Sequence, residues 1–239
     1  MSDHIVSSFD QDLNGLRATI AEMGGLCEKM LADAVTAFVR RDESLAQNVI
    51  SADRRLDELQ RGIEERAILL IARRQPLAVD LRDVVSAIRI ASDLERVGDL
   101  VKNCAKRTVA IADGFQTKEI VVGVQTMTDL VMEQLKDILD AYSTRDLDRA
   151  LDVWRRDGQI DALYTSMFRE LLTYMMEDPR NISFCAHLLF IGKNIERIGD
   201  HTTNIAETIH YLVTGQTLTA ERPKDDRWND RHVPLVPAA

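Results

Sequence analysis

Apolar side chains recur at helical spacing along most of the chain, and short polar or proline-containing breaks divide them into six segments. The segments are residues 7–41, 43–74, 78–112, 116–143, 146–177 and 180–213. Only 11 glycines and 5 prolines occur among 239 residues, so few positions within the segments disfavour a helix. The pattern therefore predicts an all-α protein of six long helices.

The six segments form two similar halves. Arg41-Asp42, which interrupts the helical pattern after the first segment, recurs 104 positions later as Arg145-Asp146, and Pro76 has a counterpart in Pro179. Further matches in the same order are Ala46 with Ala150, Val49 with Val153, and Asn103 with Asn204. Ordered matches across three segments predict a duplicated three-helix unit, with one copy in residues 7–112 and the other in 116–213. Residues 215–239 lack an apolar period, and we expect a disordered C-terminal tail there.

Each copy carries two pairs of carboxylates at helical spacing. Glu95 and Asp99 lie one turn apart and continue the apolar stripe of the third segment, and Glu196 and Asp200 do the same in the sixth. The second helix of each copy adds its own pair on its apolar face. These pairs are Asp53 with Asp57, and Asp157 with Asp161.

Carboxylates on an apolar face are costly, because burial removes their hydration and neighbouring like charges repel. Three remedies are open: pairing with neighbouring arginines, protonation, or capture of a hard cation such as iron, manganese, magnesium or calcium. Arg54, Arg96 and Arg197 stand beside the acids and make a structural ion-pair network a real alternative to metal. Gly98 and Gly199 lie between the paired acids and favour either close helix packing or approach of a metal.

Charge and cysteine content narrow the function classes. The net charge is −9, from 39 acidic and 30 basic side chains, which argues against a nucleic-acid partner. The three separated cysteines predict buried, reduced thiols and a cytoplasmic setting. Neither a leader peptide nor a membrane-spanning stretch is visible, so we expect any membrane association to be through partners.

The signatures Glu95-Arg96-Val97-Gly98-Asp99 and Glu196-Arg197-Ile198-Gly199-Asp200, each followed four residues later by asparagine, resemble those of the PhoU family of bacterial phosphate-signalling regulators. The resemblance covers residues 7–213. It implies two three-helix bundles joined with pseudo-two-fold symmetry, and E/D-x-x-x-D motifs that hold clusters of iron or another divalent metal such as manganese or magnesium. The implied ligands are Asp53, Asp57, Glu95, Asp99, Asp157, Asp161, Glu196 and Asp200, with Asn103 and Asn204 as neighbours.

The resemblance implies regulation rather than catalysis. PhoU-like proteins are thought to link the ATPase subunit of a phosphate ABC transporter to a membrane sensor histidine kinase, keeping kinase output and uptake low when phosphate is plentiful. We also expect a homodimer, because long amphipathic helices leave surplus apolar surface to bury.

Two other functions compete with this interpretation. A ferritin-like di-metal oxidase needs Glu-x-x-His on two helices, and the chain has one such match, from Glu207 to His210, with no counterpart in the first copy. A metal-free helical adaptor is the other. The chain contains neither GxxxxGK[ST] nor GxGxxG, so we expect no nucleotide or other organic cofactor.

Overall fold

The computed structural model describes residues 2–111 and 118–219, and within them all regular structure is helical. The α-helices are α1 Ser2–Arg40, α2 Glu43–Arg74, α3 Val79–Ala110, α4 Lys118–Thr144, α5 Leu147–Arg155, α6 Gly158–Glu177 and α7 Ile182–Thr214. A short 3₁₀ helix, Pro179–Asn181, precedes α7. The connection between the two predicted copies, residues 113–115, lies outside the described residues, and so does the part of the predicted tail from residue 220 onward.

The turns that end α1 and α4 are built alike. Arg41 and Arg145 both adopt the left-handed conformation, with φ of 55° and 56°. Asp42 and Asp146 follow them, and each backbone N–H donates to the carbonyl five residues earlier at 2.9 Å. Each aspartate side chain then accepts a hydrogen bond from the backbone N–H three residues later, at 2.9 and 3.0 Å, which caps the next helix. The repeated Arg-Asp pair therefore forms the same helix-ending turn in both copies.

The two copies form two bundles that share one interface. Helices α1, α2 and α3 pack together, and α5, α6 and α4 pack around α7. The bundles meet where α3 packs against α7 and α1 against α4. Helices α3 and α7 run antiparallel, since Arg107 lies beside His187 and Asp93 beside His201. The fold prediction of two tandem three-helix bundles is confirmed.

The fifth predicted segment, residues 146–177, is not one helix, and this part of the prediction is wrong. Helix α5 ends at Arg155 and α6 begins at Gly158. Between them, backbone hydrogen bonds of the i→i−3 type appear, which span one residue fewer than those of an α-helix. The side chain of Arg156 pairs there with Asp137 on α4 at 2.5 Å. The break lies at Gly158, and glycine is a weak helix former. The ion pair of Arg156 holds the local turn in place.

The cysteines behave as predicted. Cys27, Cys104 and Cys185 are all buried and free. Burial raises the pKa of the Cys104 thiol to about 12, so at neutral pH it stays protonated and unreactive. Among the described residues, no helix is both long and apolar enough to cross a membrane.

Candidate functional site

The first acidic cluster lies between α2 and α3. Asp53 is buried, whereas Asp57, Glu95 and Asp99 are half-buried, so all four carboxylates avoid full exposure. Burial raises the pKa of Asp53 most, and the nearby charges of Asp99 and Asp57 raise it further, against the opposing effect of Lys102. Burial and the carboxylates of Asp99, Asp57 and Asp53 likewise raise the pKa of Glu95. The four acids therefore form one electrostatic unit.

A lysine occupies the centre of this cluster. The Nζ atom of Lys102 lies 2.5 Å from Oδ2 of Asp53 and 2.6 Å from Oδ1 of Asp99. Burial alone would lower the pKa of Lys102, but its hydrogen bonds to the two aspartates outweigh burial and raise it. The other oxygen of Asp53, Oδ1, is buried and accepts no hydrogen bond. The lysine therefore bridges α3 to α2 and balances much of the cluster's negative charge.

The second cluster lies between α6 and α7. Asp157 is buried, and Asp161, Glu196 and Asp200 are half-buried. The Nζ atom of Lys193 lies 2.8 Å from both carboxylate oxygens of Glu196. Burial raises the pKa of Glu196 most, and the charges of Asp200 and Asp161 raise it further, while Lys193 opposes them. Glu196, Asp200 and Asp161 therefore act on one another, as the acids of the first cluster do.

The two lysines do not correspond in the repeat. Lys102 follows Asp99 by one turn, whereas Lys193 precedes Glu196 by one turn. By the spacing of the two signatures, Lys102 corresponds to Thr203 in the second copy. Each bundle thus offsets the cost of its half-buried acids with a lysine of its own. The sequence interpretation considered arginines, and Arg96 does pair with Glu95 at 3.5 Å and with Asp99 at 3.3 Å. It missed both lysines, although a spacing of three residues between an acid and a lysine on a helix is a recognisable signal.

The structure supports the ion-pair alternative more directly than a resident metal. Over residues 2–111 and 118–219, no group of three or more His, Cys, Asp or Glu side chains converges to hold a metal ion. The oxygen donors suit hard cations in kind, but in the first cluster the Lys102 ammonium already occupies the position between Asp53 and Asp99. This arrangement does not fit a bound metal as it stands. Binding of iron, manganese or magnesium by the eight carboxylates stays a prediction.

The two signature glycines allow close helix packing. A Cβ atom added to Gly98 would lie 2.2 Å from Cδ1 of Leu56, and one added to Gly199 would lie 2.8 Å from Cδ1 of Ile160. Both contacts are shorter than van der Waals separation. The missing side chains therefore let α2 and α6 approach the helices that carry the Glu-x-x-x-Asp motifs.

The Glu-x-x-His match of the oxidase alternative is engaged elsewhere. Glu207 accepts a hydrogen bond from the indole of Trp154 at 3.2 Å, and Nδ1 of His210 lies 2.9 Å from the carbonyl oxygen of Gln216. These contacts hold the two side chains in local structural roles, and no observation favours the oxidase.

Comparison with known proteins agrees with the signatures and the fold. The PhoU domain profile matches residues 20–108 and 124–209, one match in each bundle. The chain belongs to the PhoU family. A PhoU homolog of Rhizobium meliloti (strain 1021), named a phosphate-specific transport system accessory protein, is 56% identical over 223 residues, which cover 93% of this chain and 94% of the relative. A Caulobacter vibrioides (strain NA1000 / CB15N) protein of the same name is 51% identical over 226 residues, covering 95% and 98%.

Two solved PhoU structures share the architecture. The crystal structure of PhoU from Pseudomonas aeruginosa has a TM-score of 0.84 and 39% identity, and the match covers 87% of this chain and all of that one. The phosphate transport system regulatory protein PhoU from Streptococcus pneumoniae has a TM-score of 0.82 at 29% identity, covering 89% of this chain and all of that one. The resemblance seen in the signatures is confirmed.

Proposed function

We propose that this PhoU-family chain is a non-enzymatic accessory regulator of phosphate uptake. The observation that carries the proposal is identity of 51–56% over nearly the whole length of relatives named phosphate-specific transport system accessory proteins. At that identity and coverage both bundles and both acidic clusters belong to the shared region. A regulator of this kind acts by contact with partners rather than by turnover.

In finer terms, the chain couples the ATPase subunit of a phosphate ABC transporter to a sensor histidine kinase and lowers the output of both when phosphate is plentiful. The two ends of the molecule support such a bridge. Leu77, before α3, is 80% exposed, and Met176, before α7, is 77% exposed. Because α3 and α7 are antiparallel, these exposed apolar side chains lie at opposite ends of the helix pair.

The ends also differ in charge, which supports two different partners. Arg73 precedes Leu77 and Glu177 follows Met176, whereas the neighbouring Arg74 and Asp178 are paired within the chain with Asp12 and Arg180. An acidic partner surface complements the first end and a basic one the second, since complementary charge steers association and selects partners.

Capture by purified partners tests this proposal. The full chain, immobilised, is expected to retain the transporter ATPase subunit or the cytoplasmic region of the kinase. Leu77→Asp and Met176→Asp alter exposed side chains, so each is expected to fold and to lose one partner while keeping the other. Failure to capture either partner, or equal capture by both variants and the parent, would contradict the bridging role.

Metal content and oligomeric state are separate predictions. Elemental analysis of protein purified without chelator tests the metal prediction. Bound iron, manganese or magnesium would mean that a metal displaces the lysines from the carboxylates, and its absence together with no stabilisation by added metal leaves the metal-free adaptor. Light scattering is expected to give the mass of a homodimer.

A further inference from the structure

Two pockets of nearly equal size lie between α3 and α7, one at each end of their contact. The first, called here the cationic pocket, has a volume of about 340 Å³, and the second, the acidic pocket, about 330 Å³. The cationic pocket is lined by Asn103, Lys106, Arg107, His187, Phe190 and Asn194. The acidic pocket is lined by Arg89, Asp93, Asn204, Glu207, Thr208 and Tyr211.

The repeat relates the two pockets position by position. The spacing that takes Glu95 to Glu196 also takes Asn103 to Asn204, so the asparagine after each signature lines one pocket. The same spacing pairs Lys106 with Glu207, and Asp93 with Asn194. The fold therefore forms equivalent pockets in the two copies. The residues that differ between the copies give the two pockets opposite charge.

Arg107 is held in place within the cationic pocket. Its guanidinium lies over the ring of Phe190, 4.2 Å from the centroid, and its Nη1 atom is 3.4 Å from Nδ1 of His187. Within the described part of the chain, no carboxylate lies within 4.0 Å of Arg107 or Lys106. The two cations lie side by side on one helix and face the same pocket, so their charges add there.

In the acidic pocket, carboxylates line the wall and accept hydrogen bonds from neighbouring side chains. Asp93 accepts hydrogen bonds from His201 at 2.8 Å and from Asn204 at 3.4 Å, and Glu207 accepts one from Trp154. Its arginine, Arg89, lies over an aromatic ring as Arg107 does, but two carboxylates share its pocket. An anion entering there would meet negative charge.

We propose that the cationic pocket binds a phosphate-type oxyanion, either free inorganic phosphate or the phosphoryl group of a small organic monoester. A guanidinium offers two parallel N–H donors to such a group, an ammonium adds charge, and the amides of Asn103 and Asn194 add neutral donors. The volume exceeds what orthophosphate alone fills, and the exposed face beside Phe190 has room for an organic substituent. The inference deepens the proposed function by giving a regulator of phosphate uptake a ligand of its own.

Titration of the purified full chain tests the proposal. Sodium phosphate and adenosine monophosphate are titrated separately by calorimetry at constant ionic strength, with sodium sulfate as a reference anion. The parent chain is expected to bind at least one of the two phosphates saturably below about 10 mM. Tighter binding of inorganic phosphate identifies the free ion as occupant, and tighter binding of the nucleotide identifies a monoester.

Variants locate the site. Arg107→Gln and Lys106→Gln are each expected to weaken binding about tenfold, whereas Arg89→Gln in the acidic pocket leaves it unchanged. Lys106 is exposed, so its variant stays informative even if Arg107→Gln lowers the melting temperature. No saturable binding of either phosphate overturns the proposal, as does binding that neither variant weakens or that Arg89→Gln weakens equally.

The phosphate titration and the partner-capture experiment test separate claims. The titration tests the cationic pocket, and the capture experiment tests the proposed function. A chain that captures the transporter or the kinase but binds neither phosphate refutes the pocket alone. A chain that binds phosphate through Arg107 but captures neither partner refutes the bridging role alone.

Discussion

The ammonium of Lys102 lies 2.5 Å from the buried carboxylate of Asp53, and this contact joins α3 to α2 inside a cluster of four acids. The same ammonium contacts Asp99 at 2.6 Å. Helix α3 thus supplies both the acids of its signature and an ammonium group that offsets the energetic cost of their partial burial.

Replacing that lysine should remove the cation that contacts Asp53, while Arg96 stays beside Glu95 and Asp99. Lys102→Met is expected to lower the free energy of unfolding by about 1–3 kcal/mol, less than for a fully buried pair because the cluster is partly solvated. Added Mn²⁺ is then expected to stabilise the variant more than the parent, since it can take the position of the ammonium between Asp53 and Asp99. Urea unfolding with and without Mn²⁺ measures both effects.

Lys136→Met is the matched control, because Lys136 is an exposed lysine on α4. It should change neither the stability nor the response to Mn²⁺. If Lys102→Met behaved like this control, the lysine would not be balancing the cluster.

Two glycine-to-alanine substitutions separate the effect of helix packing on stability from that of helix propensity. Gly98→Ala is expected to destabilise by about 1–3 kcal/mol, since its Cβ would lie 2.2 Å from Leu56, a side chain with no exposed surface. Gly25→Ala, at an exposed position of α1 with open space around its Cβ, should stabilise by about 0.5–1 kcal/mol through helix propensity. Thermal or urea unfolding compares them, and a stabilised Gly98→Ala would show that α2 and α3 are not in close contact there.

Part of the loss of folding stability at low pH should come from Asp137, which pairs with Arg156 at the break between α5 and α6. Burial alone would raise the pKa of Asp137, but hydrogen bonds from Arg156 and Arg149 outweigh it and lower the pKa. A carboxyl whose pKa is lower in the folded state stabilises above its unfolded pKa, about 3.9, and loses that contribution as pH falls through the folded value. Asp137→Asn is therefore expected to lower stability at pH 7 by about 1 kcal/mol.

The difference between Asp137→Asn and the parent should shrink below about pH 4. Unfolding measured from pH 7 to pH 2.5 tests this, with Asp129→Asn, an exposed carboxylate on the same helix, as control. A difference that stayed constant over this range would mean that the charge of Asp137 does not supply the stabilisation.

Local patterns predicted what local interactions determine. Helical periodicity and scarce breakers predicted the all-α fold, and the recurrence of Arg41-Asp42 as Arg145-Asp146 marked two turns that the structure builds in the same way. The acids of the two signatures are half-buried because their positions on the helix continue the apolar stripe.

Features that depend on packing between helices were not predictable in the same way. The break at Arg156 depends on Asp137, 19 residues earlier on another helix, and nothing in the periodicity of residues 146–177 reveals it. The central position of Lys102 required the contact between α2 and α3. The cationic pocket exists only because α3 and α7 pack antiparallel, which brings Arg107 and His187 together from 80 residues apart.

The rate of phosphate uptake in phosphate-rich medium tests the central claim most directly, measured in the source organism with and without the gene for this chain. A regulator that restrains the transporter predicts faster uptake in the deletion strain and a return to the parental rate when the gene is restored. An uptake rate that does not change on deletion would contradict the proposed function.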